Sequence, residues 1–347
     1  MRKSKMIKAL SCAVSACALA LGLAACGGSS TESTSAGPTF IYLTNNPIGV
    51  NKFLESGKAG IEAAAEKFHG TAKIYEGQDE TSMRQNLEAA VHESPDVIVT
   101  ITYDFTDMTK EFAEANPDQK FILIDDCPTT DVPKNMHCAV FREHEAAYLI
   151  GYEAGLLTKT NMIGSVGAVD NPFIHRYTDA FAEGAKAANP SVKDQQLFIG
   201  GNAPFSDPAR GKEQGAALAA AGVDHIYAVG VGSNGGIFEA AAAKGVTAYG
   251  VDVNQCPYQP GTVGDGTLKL MDTLIPDLIG KVMDGEAESS TSYGLAEGGM
   301  DLVSLSAQAE GSQCTVVGNN DVLEQVKQVK QDIIDGKIHP TDPTGVN

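Results

Sequence analysis

Short apolar runs alternate with amphipathic stretches through most of the chain. The runs are mostly built of Val, Ile, Leu and Phe, which is typical of buried β-strands. They lie at residues 40–43, 72–75, 97–101, 121–124, 162–166, 197–199, 225–229 and 247–251. Between them, apolar side chains recur every three or four residues, which predicts helices. The helical stretches lie around residues 53–68, 86–91, 108–112, 143–157, 179–188, 209–221 and 237–244.

This regular alternation predicts an α/β fold of doubly wound parallel sheets. The alternation falls into two series, and roughly 300 ordered residues exceed one comfortable core. We therefore predict two lobes joined by a hinge, residues 39–141, continued by about 254–310, and residues 142–253. Residues 311–347 are assigned to neither lobe. Ligands bind outside the carboxyl ends of parallel strands, so two facing lobes would form a cleft that closes on a ligand.

The N-terminal residues have the pattern of an export signal. Basic residues stand at positions 2, 3, 5 and 8, an apolar run follows at 9–23, and small residues lead into Cys26. This order is typical of a secretory signal, and the run is too short for a permanent membrane span. Residues 23–26, Leu-Ala-Ala-Cys, resemble the bacterial lipobox, whose Cys is acylated and becomes the first residue of the mature protein. A plain signal peptide with an incidental Cys is the alternative.

These features predict how the protein is attached to the cell membrane. Residues 1–25 would be removed as a lipoprotein signal peptide, and Cys26 would carry the lipid. Residues 26–38 are rich in Gly, Ser and Thr and would form a flexible tether. We expect the protein on the extracytoplasmic face of the cell membrane, anchored by its lipid. The tether leaves no room for a DNA-binding head before Thr39, which disfavours a transcriptional regulator with similar lobes.

The net charge of the chain limits the classes of partner that it can bind. Acidic residues outnumber basic ones by 44 to 25, which gives a formal net charge of −19. Loss of residues 1–25, with four basic and no acidic side chains, would change it to −23. Nucleic-acid binding needs a basic face that neutralises phosphates, so we expect no nucleic-acid partner. We interpret the acidity as solvation of an exported protein, and we expect a monomer.

Cysteine usage fits an oxidising compartment. Four cysteines would remain beside Cys26 after export: Cys127, Cys138, Cys256 and Cys314. Four cysteines allow three pairings, and the sequence does not choose among them. We expect Cys127 to pair with Cys138 and Cys256 with Cys314, and free buried thiols are the open alternative.

A Gly-rich turn at residues 230–235, Gly-Val-Gly-Ser-Asn-Gly, follows an apolar run, and Asp252 ends the next one. This spacing meets the dinucleotide-binding fingerprint. The late position of the turn, the lack of a hydride-transfer partner in the sequence and the export signal argue against an NAD site. Tight turns with a capping Asp would explain the glycines. The turn would equally let backbone approach a ligand whose ribose hydroxyls donate to Asp252.

The sequence lacks the common catalytic and metal-binding motifs. It has no G-x-S-x-G elbow, no H-E-x-x-H and no P-loop. The histidines are scattered, and we expect them on the surface or in loops rather than on a metal: His69, His92, His137, His144, His175, His225 and His339. We therefore predict a binding protein without cofactor or metal. Nucleoside hydrolysis is the enzymatic alternative.

Longer segments resemble one family. Residues 140–155, VFREHEAAYLIGYEAG, with 158–160 and 163–167, look like the basic membrane protein family of transporter-associated lipoproteins, whose members include purine nucleoside receptors. Supporting segments are 121–125, 207–208 with 211–213, 250–252 and 260–269. The similarity covers essentially the whole predicted body. It implies a type I periplasmic-binding-protein architecture, in which two lobes capture a nucleoside and pass it to a membrane ABC permease.

The resemblance also implies ligand contacts. Asp252 matches the family Asp that binds ribose hydroxyls, and Phe53 matches an aromatic residue that stacks on the base. Lys269 matches a Lys that follows the start of a helix after the hinge, where a charge on an apolar helix is hard to explain by packing. Further candidates are two first-lobe residues at a strand end and an opposing ring: Tyr103, Asp104 and Phe205. Packing in the core is the alternative for Phe53 and Phe205.

The first-lobe loop departs from the family pattern. Many members read Asp, two residues, Phe, Asn there, whereas this chain reads Val-Asn-Lys-Phe-Leu at 50–54. A carboxylate and an amide that could bind a base edge are therefore missing. Asn46 is the candidate replacement, with Asn45 and Asn51 as alternatives, because an amide both donates and accepts hydrogen bonds. Binding of another small polar ligand in the same cleft is the alternative function.

Overall fold

The computed structural model describes residues 37–49 and 51–345, so the predicted signal peptide, Cys26 and most of the tether lie outside the described residues. The first series of elements is β1 (Thr39–Thr44), α1 (Lys52–Lys67), β2 (Thr71–Glu76), α2 (Glu80–Glu93), β3 (Val97–Ile101), α3 (Thr106–Ala115), β4 (Phe121–Ile124) and β5 (Met136–Phe141). The second is α4 (Glu143–Leu157), β6 (Met162–Gly167), α5 (Pro172–Ala188), β7 (Lys193–Phe198), α6 (Pro208–Ala220), β8 (His225–Val229), α7 (Asn234–Lys244), β9 (Thr247–Gly250) and β10 (Val263–Lys269). The last elements are α8 (Met271–Asp284), β11 (Ser290–Tyr293), β12 (Met300–Leu302) and α9 (Asn320–Ile334).

Two six-stranded sheets organise these elements. The first sheet has the order β11-β5-β4-β3-β1-β2, and all its pairs are parallel. The second has the order β12-β10-β9-β8-β6-β7, with one antiparallel pair between β10 and β12. Strands β3, β4 and β8 are buried along their whole length, as expected for parallel strands covered by helices on both faces. The predicted α/β class with doubly wound sheets is confirmed.

The lobe boundaries differ from our expectation in one segment. We expected residues 254–310 to continue the first lobe, and β11 does join the first sheet beside β5. Strand β10, however, extends the parallel ladder of β9 in the second sheet, and β12 pairs with β10. The chain therefore passes between the two sets of elements after β5, after β10 and after β11. Helix α9, in the segment left unassigned, packs against α4.

Three crossing segments lie next to each other. The backbone N–H of Arg142, between β5 and α4, donates to the carbonyl oxygen of Tyr293 at 3.0 Å. The N–H of Leu270, after β10, donates to the carbonyl oxygen of Gly299 at 3.0 Å. The Arg142 guanidinium also binds Glu145 and Glu297. These contacts tie the crossings into one compact bundle.

Local chemistry explains where the first helix begins. Asn51 precedes α1, and its side-chain oxygen accepts hydrogen bonds from the backbone N–H groups of Phe53 and Leu54, at 3.1 and 3.2 Å. Such a cap satisfies donors that have no partner within the helix. Phe53 is thereby held in the first turn, at the end of the helix that lies beside the carboxyl end of β1.

The cysteines form the expected pairs, Cys127 with Cys138 and Cys256 with Cys314. Two histidines depart from the expected surface position. His225 is buried where β8 begins, and a hydrogen bond between its Nδ1 and the hydroxyl of Tyr249, at 2.9 Å, satisfies the buried ring nitrogen. His144 is buried in the first turn of α4, with Nδ1 3.9 Å from a carboxylate oxygen of Asp342.

Within residues 37–49 and 51–345, no helix is both long and apolar enough to cross a membrane. Within the same range, His, Cys, Asp and Glu side chains form no group of three or more that could hold a metal ion.

Candidate ligand-binding site

A cavity lies between the two sheets, at the carboxyl ends of their strands. The space it encloses, counted together with its open mouth, is about 740 Å³. All seven residues predicted as ligand contacts line it: Asn46, Phe53, Tyr103, Asp104, Phe205, Asp252 and Lys269. The fold therefore brings together residues that are up to 223 positions apart in the chain, from Asn46 to Lys269.

Strand ends supply the polar lining. Tyr103 and Asp104 follow β3, Asp125 follows β4, and Asp252 follows β9. Lys269 is the last residue of β10, not a residue of the helix after the hinge as expected, because α8 begins only at Met271. Parallel strands end at the same edge of a sheet, which is why these side chains meet.

Both central carboxylates stand on unusual backbone. Asp125 has φ of 81° and Asp252 has φ of 66°, in the left-handed region. Asp tolerates this region better than most residues, but it still costs more than extended backbone. In each case the chain turns sharply at the end of its strand, and the carboxylate lines the cavity. Such backbone is retained most often where a side chain must be placed for function.

Lys269 is surrounded by carboxylates. Its Nζ contacts Asp125 directly, lies 3.0 Å from Glu143 Oε1 and 3.9 Å from Asp252 Oδ1, and its side chain is 1% exposed. Burial alone would lower the pKa of Lys269, but the charges of these three partners outweigh it and raise the pKa above its ordinary value. Lys269 is therefore a permanent cation at physiological pH.

Two of the carboxyl groups around it, Asp125 and Asp252, are harder to ionise than ordinary carboxyl groups. Burial raises the pKa of Asp125 to about 7, because the nearby Lys269 only partly offsets burial and repulsion from Glu143 and Asp252. Burial likewise raises the pKa of Asp252, against the opposing effect of Lys269 and with added repulsion from Glu143. The cluster thus has more acidic groups than one ammonium can neutralise, and Asp125 and Asp252 hold a proton more readily than exposed carboxylates do.

One oxygen on each central carboxylate is available. Asp125 Oδ1 is bound by Lys269, and Asp252 Oδ1 accepts a hydrogen bond from the Tyr177 hydroxyl at 3.2 Å. No residue in the described part of the chain donates a hydrogen bond to Oδ2 of either carboxylate. A carboxylate oxygen is a strong acceptor, so the cavity offers two acceptor positions beside one cation.

Aromatic rings enclose the same cation. Lys269 Nζ lies 4.8 Å from the ring centre of Phe141, 5.1 Å from Phe53, 5.6 Å from Phe173 and 5.7 Å from Tyr177. These distances allow cation–π attraction. The ring of Tyr103 meets that of Phe173 edge to face, with centres 6.1 Å apart. Phe141 lies outside the cavity lining, whereas the other four rings and the half-buried Phe205 give the cavity its aromatic walls.

The three asparagines of the first-lobe loop differ in what they can still bind. Asn51 uses its side-chain oxygen to cap α1. Asn45 Nδ2 donates to Asp104 Oδ2 at 2.6 Å, which fixes both side chains at the mouth of the cavity. Asn46 is exposed at the same mouth. Asn46 thus remains the amide that is free to meet a ligand within the described loop.

The Gly-rich turn at 230–235 is packed against protein. The N–H of Gly230 donates to Asn234 Oδ1 at 2.8 Å, and Asn234 Nδ2 donates to the carbonyl oxygen of Ala228 at 2.9 Å. Gly232 lies against the carbonyl oxygen of Phe205, where a Cβ would come within 2.8 Å. In this turn only Val231 lines the cavity. The glycines therefore serve a tight turn that supports the Phe205 segment.

Several lining residues escaped sequence reasoning. Asp125 follows an apolar strand, as Asp252 does, so the strand-end rule could have found it. Phe173 and Tyr177 are four residues apart on α5, a spacing that is read as core packing. Glu143 lies in the segment that carried the family resemblance, but nothing in its spacing marked it as a partner of Lys269.

Known proteins resemble this chain along most of its length. The family model described as Bmp, ABC transporter substrate-binding protein PnrA-like, matches residues 42–341. The CD4+ T-cell-stimulating antigen of Listeria monocytogenes is 30% identical over 277 residues, which cover 75% of this chain and 74% of that protein. The ABC transporter nucleoside-binding protein BmpA of Lactococcus lactis is 28% identical over 316 residues, 84% of this chain and 86% of that one. A crystal structure of an ABC transporter solute-binding protein from Aeropyrum pernix K1 has a TM-score of 0.76 at 25% identity, and the match covers 89% of this chain and 94% of that one.

Proposed function

Since this chain belongs to the family of PnrA-like ABC transporter substrate-binding proteins, we propose that it captures a nucleoside between its two sheets and presents it to a membrane permease. The family consists of substrate-binding proteins and not of enzymes, as predicted. The observation that carries the nucleoside proposal is the pair of carboxylates, Asp125 and Asp252, each with one available oxygen beside Lys269.

The carboxylates suit a sugar with neighbouring hydroxyls. Each ionised carboxylate can accept a hydroxyl hydrogen, and such charge-assisted bonds are short and strong. Lys269 Nζ has three N–H donors and hydrogen-bonds Asp125, while Glu143 and Asp252 attract it as ion-pair partners at 3.0 and 3.9 Å. It can therefore also donate to a ligand oxygen. A ribose with two adjacent hydroxyl groups matches this arrangement.

The apolar walls suit a flat base. Phe53 is 5% exposed and lines the cavity from the first lobe, and Phe205 lines it from the second. Stacking of a nucleobase on such rings contributes about 1 to 3 kcal/mol per base. Asn46 and Asp104 at the mouth offer donors and acceptors to the base edge. A purine offers the larger stacking area, so we propose a purine nucleoside.

The charge of the lining argues for a nucleoside over a nucleotide. Three acidic residues line the cavity, Asp104, Asp125 and Asp252, and among the described lining residues Lys269 is the only basic one. Its charge is already shared by three carboxylates. A phosphate group would meet net negative charge without a free cation to bind it, so an anionic ligand is disfavoured.

Anchoring completes the proposal. The signal-like residues 1–25, Cys26 and the tether residues 26–38 support a protein anchored by its lipid on the extracytoplasmic face of the cell membrane. We propose that it works there as a monomer. A tether of this composition lets the binding body move while the lipid stays in the membrane.

A ligand panel tests the nucleoside proposal. Thermal shift of the purified protein is measured with adenosine, guanosine, uridine, adenosine monophosphate, free bases, ribose and amino acids. A ligand that binds only the folded state stabilises it by about 3 to 4 kcal/mol at several hundred times Kd or more. We expect the largest shift with a purine nucleoside and little with the monophosphate. A shift with ribose or amino acids alone would replace the nucleoside by another small polar ligand, and appearance of free base during incubation would favour hydrolysis.

A further inference from the structure

A chain of ion pairs continues behind Lys269, away from the cavity. Glu143, the first residue of α4, lies 3.0 Å from Lys269 through Oε1 and 3.0 Å from Arg176 through Oε2. Arg176, on α5, lies 3.2 Å from Asp342. Asp342 belongs to the segment that follows α9. Opposite charges thus alternate from Asp342 through Arg176 and Glu143 to Lys269 in the ligand site.

Every residue in this chain of ion pairs is shielded from water. The side chains of Asp342, Arg176, Glu143 and Lys269 are 3%, 7%, 0% and 1% exposed. Removing one partner from a buried ion pair leaves the other charge uncompensated, and the neighbouring charges then rearrange. In exposed ion pairs elsewhere in the protein, such as Lys337 with Asp335, water screens the charges, so losing one partner has little effect on its neighbours.

The segment after α9 is held in place before it reaches Arg176. Thr341 donates its backbone N–H to Glu183 Oε2 on α5 at 3.0 Å. Asp342 Oδ1 accepts hydrogen bonds from the Thr344 N–H at 2.9 Å and the Thr344 hydroxyl at 2.7 Å, which leaves Oδ2 for Arg176. His144 Nδ1 lies 3.9 Å from the same Oδ2. Asp342 is therefore presented to Arg176 in a fixed orientation.

We propose that Asp342 and Arg176 are positioning residues for the ligand site, acting through Glu143 on the ammonium group of Lys269. This inference rests on the proposed function. Arg176 divides its charge between Asp342 and Glu143, and Glu143 divides its charge between Arg176 and Lys269. Without the Asp342 charge, Arg176 draws Glu143 toward itself, and Lys269 turns to Asp125 and Asp252. The carboxylate oxygens that the ligand would use are then taken up by Lys269.

The test compares Asp342→Asn with Asp335→Asn. Both substitutions remove one negative charge from the segment that follows α9, but Asp335 is exposed and lies outside the chain of ion pairs. Calorimetry with adenosine measures affinity. Networks of this kind modulate binding by about threefold to thirtyfold, so we expect Asp342→Asn to weaken adenosine binding within that range and Asp335→Asn to leave it unchanged. Melting curves check that both variants are folded.

A second readout needs no ligand. In protein labelled with ¹³C at lysine Cε, the Lys269 resonance is identified by its loss in Lys269→Met. Asp342→Asn should shift this resonance in the free protein, whereas Asp335→Asn should not. In an Arg176→Met background, Asp342→Asn should have no further effect on it, because the connection to Glu143 is already cut.

The two readouts separate the two proposals. An unmoved Lys269 resonance in folded Asp342→Asn overturns the positioning role, whether or not adenosine binds. A moved resonance with weakened adenosine binding supports it. A moved resonance in a protein that binds no nucleoside keeps the connection between Asp342 and Lys269 and rejects the nucleoside.

Discussion

Asp252 is placed at a strand end and contacts both Tyr177 and Lys269. It stands at the end of β9, accepts a hydrogen bond from Tyr177 through Oδ1 and lies 3.9 Å from Lys269. Its Oδ2 accepts no hydrogen bond from any residue between 37 and 345 that the structure describes. Because the surrounding cluster already has excess negative charge, this carboxylate contributes more to a ligand with hydroxyl groups than to the folded state.

Asp252→Asn should therefore weaken binding without unfolding the protein. Loss of a charge-assisted hydrogen bond costs about 1.5 to 3 kcal/mol, or roughly tenfold to more than a hundredfold in Kd. Calorimetry should also show that the ribonucleoside loses its advantage over the 2′-deoxynucleoside in this variant. Asp107→Asn on α3, an exposed Asp outside the cavity, is the matched control. Unchanged affinity in Asp252→Asn would leave this residue as a turn former only.

Binding should also depend on pH through Asp125. The pKa of Asp125 in the free protein is raised to about 7, so the group is partly protonated at neutral pH. Ligand hydroxyls that donate to the carboxylate favour its ionised form and lower this pKa on binding. Affinity should therefore rise as the pH increases from about 5.5 to 8, with release of a proton, at up to tenfold per unit of pKa change. Calorimetry in buffers of different ionisation enthalpy measures both effects, and Asp125→Asn should flatten the profile.

The free protein should show the opposite trend in stability. A carboxyl whose pKa is raised on folding contributes stability that is complete below its ordinary pKa of 3.8 and is lost as the pH rises through about 7. Denaturation curves of the ligand-free protein across this range would reveal it as a decrease in the wild type that is absent in Asp125→Asn. A wild type and variant with parallel curves would contradict the raised pKa.

At the residue scale, the sequence predicted which side chains line the cavity better than it predicted which residues contact one another there. The strand-end rule and the family resemblance placed Asp252, Lys269 and Phe53 near a ligand, and the structure puts all three around one cavity. The partners of Lys269 could not be predicted in this way. Glu143 is 126 positions before it, and only the packing of α4 against β10 brings the two together.

Among the elements, the turn between β8 and α7 controls the position of a wall of the cavity. In Gly232→Ala, the new Cβ would collide with the Phe205 carbonyl oxygen at 2.8 Å, so the Phe205 segment must move. We expect severalfold weaker nucleoside binding, measured by calorimetry. Gly235→Ala is the control, because no heavy atom lies within 4 Å of its Cβ, and Ala is favoured over Gly in a helix by about 1 kcal/mol. Equal affinity in both variants would show that Phe205 does not contact the ligand.

Apolar content decided which elements could be predicted. Strands β3, β4 and β8 and helix α4 have the predicted boundaries, since their buried runs contrast sharply with their polar flanks. Strand β10, Val-Gly-Asp-Gly-Thr-Leu-Lys, lacks that contrast, because glycines and a buried Asp265 interrupt it. Strands β11 and β12 have four and three residues, too few to show a period. The division of residues 254–310 between the sheets was therefore not predictable from pattern alone.

At the scale of the whole molecule, anchoring and binding should be separable. Cys26→Ser should move the protein from the membrane fraction into the medium or periplasm, with ligand affinity unchanged, because the tether separates the lipid from the cavity. Cys17→Ser, within the apolar run of the signal, is the control and should leave the protein on the membrane. Fractionation followed by calorimetry measures both properties. Membrane retention of Cys26→Ser would argue against lipidation at this residue.

The three adjoining crossings, finally, restrict how the lobes can move. One connecting segment would allow rotation in many directions, whereas we expect three that are hydrogen-bonded side by side to favour rotation about their line of contact, near Arg142, Leu270 and Tyr293. Glu143 directly follows Arg142 and Lys269 directly precedes Leu270, so we expect such a rotation to displace them little. Asn46 and Phe205, in loops of the two lobes, should move further. The charged cluster around Lys269 would then stay assembled when the lobes open, whereas the aromatic side chains of the cavity would move with the lobes. A nucleoside would then bind in two steps. Its sugar hydroxyl groups would first bind the charged cluster near the hinge, and closure of the lobes would then bring the aromatic side chains onto its base.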